Sequence, residues 1–224
     1  MTDQYYSQRL AAERLQRVYD LAPPRIQQYL RSEIEYVLEL MPARAEVLEL
    51  GCGYGRVLKG VAPRAALLAG IDTSLASLQL AQRFCANLSH VHLAGMDASH
   101  LAFGERTFDV VICIQNGISA FHIDQKRLIN ESVRVLRPGG RALFASYSEK
   151  FWDVRLDWFE RQSQLGLVGE IDREKTGHGI LVCKDGFTAT TVSASEFRAL
   201  TNHLDAKVEI AEIDESSLFC VIRV

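Results

Sequence analysis

The chain has 224 residues, of which 48% are hydrophobic and 24% charged, with a formal net charge of −3. Such a length and composition allow one large α/β domain or two small ones of the ordinary globular kind. The small negative charge gives no electrostatic case for nucleic acid or an anionic membrane, and no apolar run is long enough to span a bilayer.

The chain begins with polar residues (MTDQYYSQRL) that lack the apolar core of a signal peptide. The five cysteines (Cys52, Cys85, Cys113, Cys183, Cys220) are scattered and odd in number, which fits no closed disulfide framework. No Cys/His spacing matches a zinc site, so no metal is expected. A reducing cytoplasm is the simplest home.

Residues 3–20 carry Leu10, Ala11, Leu15, Val18 and Tyr19 at helical spacing with charges between them. Pro23 and Pro24 interrupt the pattern, and 25–40 resume it with Ile26, Tyr29, Leu30, Ile34, Val37 and Leu38 until Met41-Pro42. Residues 1–42 are thus a helical segment, either a cap on the fold or a lid.

Residues 47–56, VLELGCGYGR, follow. An apolar run that passes at once into glycines reads as a buried strand entering a tight turn. Gly51, Gly53 and Gly55 let the backbone approach a ligand, and the next helix directs its free N–H groups to the same place. A dinucleotide fingerprint needs G-x-G-x-x-G. Here the third glycine comes one residue early, and Arg56 stands where that fingerprint has glycine. Glu49 would repel a pyrophosphate but suits an ammonium or sulfonium ligand. That favours S-adenosylmethionine over NAD; the alternative is a glycine-rich turn with no ligand.

Strand and helix then alternate. Strands are expected at 67–71, 90–93, 108–114 and 141–146. Helices are expected from about 54, from Thr73 or Ser74 to about 86, and over 125–136, the last stopped by Pro138-Gly139-Gly140. This alternation predicts a doubly wound parallel sheet. Residues 151–164 look helical, and 179–183 and 187–192 flank Lys184-Asp185-Gly186 as a hairpin. Ser193 and Glu196 make a capping box for a helix to about 203, and 207–213 pairs with 218–224 across a second turn. Asp72 follows the second strand, where its oxygens suit paired ribose hydroxyls or, alternatively, a helix N-cap. Asp97 follows the third strand within Met96-Asp97-Ala98, and Gln115-Asn116-Gly117 follows the fourth.

The glycine loop resembles the first motif of class I S-adenosylmethionine-dependent methyltransferases. Asp72, Asp97 and the Arg137-Pro138-Gly139-Gly140 turn, in this order, resemble marks of the small-molecule, quinone-biosynthesis-like members. The resemblance covers 45–148. It implies an α/β fold with a mainly parallel seven-stranded sheet, Rossmann-like, and a final antiparallel hairpin whose last strand is inserted beside strand five. It implies a single domain: 1–42 as N-terminal lid or cap, 45–148 as cofactor-binding core, 149–192 as an inserted helix-hairpin, and 193–224 as C-terminal helix and hairpin. The insertion is expected to wall a substrate pocket or merely cover an edge.

The resemblance also implies an enzyme that binds S-adenosylmethionine, releases S-adenosylhomocysteine, and methylates a small-molecule N, O, S or C acceptor by in-line displacement. Protein or RNA methylation, or cofactor binding without chemistry, are the alternatives. The residues it assigns to the cofactor are Glu49, Gly51, Cys52, Gly53, Gly55 and Arg56; Asp72 and Thr73; Met96, Asp97 and Ala98; and Gln115, Asn116 and Gly117. Asp97 is assigned to the adenine amino group, although a turn aspartate would also stand there. Tyr5 and Tyr6 are expected to hang over the sulfonium as the aromatic part of a lid. No general base is identified; Tyr5, Tyr6, His122 and His178 are the side chains weighed. The Asn-Pro-Pro-Tyr motif of methyltransferases acting on nucleic acid bases or glutamine is absent.

Overall fold

The apolar runs become the centre of a sheet. In the computed structural model, which describes Tyr5 and residues 9–224, β1 (Ala45–Leu50) lies between β2 (Ala65–Asp72) and β4 (Phe108–Cys113), and β3 (Val91–Gly95) flanks β2. β5 (Leu136–Tyr147) follows β4, all in parallel. β9 (Ser217–Arg223) then pairs antiparallel with both β5 and β8 (Lys207–Ile213), giving the seven-stranded order β3-β2-β1-β4-β5-β9-β8. The expected inserted final strand is therefore present. A separate small hairpin pairs β6 (Leu181–Val182) with β7 (Thr188–Ala189).

Helices cover both faces. α1 (Ala12–Asp20) and α2 (Pro24–Leu40) precede β1; α3 (Arg56–Val61) and α4 (Leu75–Phe84) follow β1 and β2. Val37, Val57, Leu58, Val61 and Leu78 from α2, α3 and α4 pack on one face of the sheet. α5 (Gly117–Ala120), α6 (Gln125–Arg134) and α8 (Ala194–Thr201) supply Ile118, Leu128, Ile129 and Phe197 to the other. Helices change sides between β1 and β4, so the crevice at the strand C-termini opens there.

Several boundaries differ from the sequence reading, two of them for a clear physical reason. β3 runs to Gly95 instead of ending at residue 93, because it continues to pair with β2 up to Asp72. α6 ends at Arg134, and the Pro-Gly-Gly stretch lies inside β5 as an irregularity in its pairing with β4. Gly139 there has φ +82°, and its N–H donates to the Val224 carbonyl at 2.7 Å. Arg137 pairs with Glu46 and Asp109 at 2.8 and 3.0 Å, tying β1 to β4 at their N-terminal ends. This turn holds the sheet at the end opposite the crevice.

α7 (Trp152–Gln164) and the small hairpin form a third cluster, in which Trp158, Phe159, Leu181 and Phe187 pack against Tyr5, Leu10, Val18, Ile26 and Tyr29. The buried Arg155 side chain donates to the carbonyls of Gly179 and Ala189 and lies 4.4 Å from the Tyr147 ring centre. Residues 149–192 are thus fastened to the N-terminal helices.

Candidate functional site

A cavity of about 420 Å³ opens at the C-terminal ends of β1 to β4. The loop after β1 is its floor. Gly51 has φ +69°, and a Cβ there would meet Phe121 Cζ at 2.4 Å, so the residue must be glycine for two reasons. That contact also shows how closely the loops after β1 and β4 approach each other. Gly53 and Cys52 continue the floor.

Asp72 braces this loop. Its Oδ2 accepts the Gly53 N–H at 2.9 Å and its Oδ1 accepts the Ser74 N–H at 2.7 Å. Ser74 is the N-cap of α4, its hydroxyl accepting from the Ser77 N–H. The carboxylate of Asp72 is therefore not the cap. Each of its oxygens retains acceptor capacity. Burial pushes its carboxyl above the usual value, against the backbone hydrogen bonds that lower it. Burial also opposes ionisation of Asp97, but the Ser99 N–H and hydroxyl, both at 2.8 Å, outweigh it and hold that carboxyl below its usual range. Asp97 is thus in a turn and also in the cavity wall, with Met96, Ala98 and Thr73 beside it.

Glu49 and Arg56 carry the charge of the site. Glu49 is 5% exposed, and burial pushes its carboxyl up to about 8 although Arg56 pulls the other way. Glu49 Oε2 and the Arg56 Nε and Nη2 are buried without hydrogen-bond partners. Buried polar groups in native proteins are normally satisfied, which makes these atoms candidates for contact with a ligand. The Arg56 guanidinium lies 5.2 Å from the centre of the Tyr19 ring, and Tyr19 stands 6.2 Å from Tyr54.

On the β4 side, Gln115 and Gly117 line the cavity. Gln115 and Asn116 both occupy the left-handed region, at φ +56° and +62°. The Gln115 N–H donates to Glu33 Oε2 at 2.8 Å, and the Ser217 hydroxyl donates to Glu33 Oε1 at 2.6 Å. Glu33 is fully buried, which pushes its carboxyl up to about 7 in spite of these bonds.

Several expected residues are elsewhere. Tyr5 is not in the cavity wall: its ring packs on Phe187 and its hydroxyl donates to Asp185 at 2.6 Å, because the small hairpin offers a buried aromatic partner and an acceptor. Tyr6 lies outside the described residues. Asn116 is turned away, its Nδ2 donating to the Thr190 carbonyl and its Oδ1 accepting from Ser146, so it anchors the chain after β7. Gly55 also stays out of the wall. It is the left-handed N-cap of α3, with no room for a Cβ beside Cys85 Sγ at 2.9 Å. His122 lies between the lining residues Phe121 and Ile123 without lining the cavity itself, and His178 is exposed in the turn beyond α7. Among the described lining residues, none comes from 149–192. Leu10, Leu15 and Tyr19 form that wall instead, and the insertion packs behind them.

Sequence reasoning missed Glu33, Tyr54 and Phe121, and it read Tyr19 only as a helix-face residue. One signal was available for Glu33: it shares the buried stripe of α2 with Ile26, Tyr29, Leu30 and Val37. A carboxylate on an apolar stripe marks a bonded, buried charge.

Residues 47–140 match the family model described as "Methyltransferase domain". A demethylmenaquinone methyltransferase from Tropheryma whipplei is 32% identical over 111 residues, 47% of this chain and 43% of that protein. The chain thus matches less than half the length of that curated relative. Among solved structures, the PH0226 protein of Pyrococcus horikoshii is similar over 100% of this chain and 99% of its own, with TM-score 0.66 and 19% identity. The N-methyltransferase NodS of Bradyrhizobium japonicum, in complex with S-adenosylhomocysteine, is similar over 98% of this chain and 96% of its own, with TM-score 0.64 and 18% identity. At such identities these likenesses establish the fold.

Proposed function

We propose that the protein is an S-adenosylmethionine-dependent methyltransferase that transfers a methyl group to a small-molecule acceptor, a reading supported by the match of residues 47–140 to a methyltransferase domain. The observation that carries the proposal is that buried Glu49 and half-buried Arg56 both line one cavity, each with buried polar atoms that make no hydrogen bond within the protein. A carboxylate and a guanidinium lining one cavity suit the ammonium and carboxylate of an amino-acid moiety. Asp72 would take ribose hydroxyls, and Met96, Asp97 and Ala98 would take the adenine. The chemistry of the donor set therefore fits S-adenosylmethionine. When bound, that cofactor supplies an activated methyl group.

The chain's own residues then orient and exclude water. Gly51 and Gly53 let the backbone approach the ligand, while Leu10, Leu15 and Tyr19 close the cavity from outside. Rate enhancement by alignment and desolvation needs no general base for an acceptor that is already nucleophilic. No side chain is assigned that role. The name of the curated relative, a demethylmenaquinone methyltransferase, supports a small-molecule acceptor. We propose that 9–42 form the lid over the cofactor and 149–192 the support that holds it. The five cysteines are free thiols, and no helix among the described residues is long and apolar enough to cross a membrane; both are compatible with a cytoplasmic home.

Titration with S-adenosylhomocysteine, followed by turnover of labelled donor against a panel of metabolites, tests the reading. Binding with methyl transfer to a panel member supports it. Binding without transfer to any small molecule, peptide or RNA would mark a cofactor-binding protein without chemistry. Absence of binding defeats the proposal.

A further inference from the structure

Glu33 is fully buried on α2, yet it is not part of the cavity wall. Both of its oxygens are committed. Oε2 accepts the Gln115 N–H at 2.8 Å and Oε1 accepts the Ser217 hydroxyl at 2.6 Å. It therefore joins α2, the loop after β4 and the first residue of β9.

The loop after β4 needs such a hold. Gln115 and Asn116 are consecutive non-glycine residues at positive φ. Residues of this kind are strained and persist only where their surroundings over-determine them. Asn116 is held through its own side chain, by Thr190 and Ser146. Gln115 is held at its backbone by Glu33. Its own side chain is left for the cavity, which it lines, and its Nε2 is buried without a hydrogen-bond partner.

We propose that Glu33 is a positioning residue, whose carboxylate clamps the Gln115 amide so that the loop after β4 presents Gln115 to the methyl donor. The ligand named here rests on the function proposed above; the clamp itself does not. A carboxylate suits the task because it accepts on both oxygens at once, fixing the loop relative to α2 and β9 together.

Two substitutions separate positioning from general support. Glu33→Met keeps a similar volume while removing the acceptor, and it leaves the Gln115 N–H and the Ser217 hydroxyl without their partner, so the thermal midpoint should fall; affinity and local exchange carry the test. Glu33→Gln retains an acceptor for the Gln115 amide, and its own amide can donate to the Ser217 hydroxyl. Calorimetry with S-adenosylhomocysteine on the full chain is expected to show affinity reduced about tenfold in Glu33→Met and within about threefold of the parent in Glu33→Gln. Hydrogen exchange at the Gln115 amide is expected to quicken at least about tenfold in Glu33→Met and to stay near the parent's rate in Glu33→Gln. Parental affinity and parental Gln115 protection in Glu33→Met would overturn the inference.

If Glu33→Met does not fold, Ser217→Ala decides. It removes the other bond on the same carboxylate, so it is expected to lower the midpoint while leaving affinity and Gln115 protection in place. An affinity loss of about tenfold in Ser217→Ala would show general support and overturn positioning. If the parent protein fails to bind S-adenosylhomocysteine, the proposed function falls, and the Gln115 exchange rates alone decide whether Glu33 holds the loop.

Discussion

Asp72 Oδ2 accepts the backbone N–H of Gly53 at 2.9 Å, so the end of β2 and the glycine loop after β1 form one unit. The same carboxylate shapes the loop and faces the cavity. Asp72→Ala should therefore act twice. Loss of bonds to a charged acceptor, each about 1.5–3 kcal/mol, should lower stability and reduce affinity for S-adenosylhomocysteine at least about tenfold. Calorimetry and thermal unfolding of the same preparation check this. Unchanged binding in a folded variant would remove Asp72 from the site.

The contact between the Gly51 position and Phe121 makes a second prediction. Gly51→Ala forces a Cβ to within 2.4 Å of the Phe121 ring and places alanine at φ +69°. The left-handed conformation alone costs about 1–2 kcal/mol. The ring must also move into the cavity wall it forms. Binding should weaken, and Phe121→Ala should relieve part of the added loss. A double-mutant cycle measures this as a coupling energy of about 0.5–3 kcal/mol; strict additivity would mean that the ring moves aside without consequence.

Glu49 predicts a pH dependence of binding. Burial holds its carboxyl up to about 8, so much of it is protonated at neutral pH. A cationic ligand favours the ionised form and lowers that value on binding. Binding near pH 7 should thus release a proton, and affinity should rise with pH until it levels above about 8. Calorimetry in buffers of different ionisation enthalpy reads the proton directly. Glu49→Gln should abolish the release; its persistence in that variant would assign the proton to another group.

The same two acids bear on the stability of the free protein. Glu33 and Glu49 are raised to about 7 and about 8 from an ordinary value of 4.5. A carboxyl raised in the folded state contributes its stability fully below 4.5 and loses it as pH rises through the folded value. Unfolding free energy should therefore decline between about pH 5 and 8 on account of these groups. Urea unfolding across that range should be flatter in Glu33→Gln and Glu49→Gln than in the parent.

Closure by the N-terminal helix is testable through Tyr19. The Arg56 guanidinium lies 5.2 Å from its ring centre, and Ala12 N–H donates to Ser77 Oγ at 3.0 Å, seating α1 on α4. A cation–π contact of this kind is worth about 0.5–2 kcal/mol. Tyr19→Ala should weaken ligand binding by a few-fold, and saturating S-adenosylhomocysteine should slow amide exchange across residues 12–20. Equal exchange with and without ligand would leave α1 as a cap on the sheet.

The parts legible in the sequence are those whose chemistry is local. Glu49, Gly51, Gly53, Asp72 and Asp97 each follow or end a strand within a few residues. The alternation of β and α sends all those strand ends to one edge, so a cavity there follows from chain order. The apolar run at 108–114 likewise identified a central strand, because a strand covered on both faces is continuously hydrophobic, whereas the inserted place of 218–224 came from the family resemblance. Helical spacing, by contrast, states which face of a helix is buried and leaves open what lies against it. In the sequence Tyr5 reads as a lid aromatic and Tyr19 as one position on a helix face. The fold sends Tyr5 to Asp185 and Phe187 in the insertion, and Tyr19 to Arg56 in the cavity. Glu33 meets Ser217 because β9 is inserted beside β5, which brings together residues 184 positions apart in the chain. Periodicity and local turn chemistry act over a few residues, whereas the partners of a buried side chain are chosen by how the layers stack; the glycine loop belongs to the first kind of information, and the cavity wall formed by Leu10, Leu15 and Tyr19 to the second.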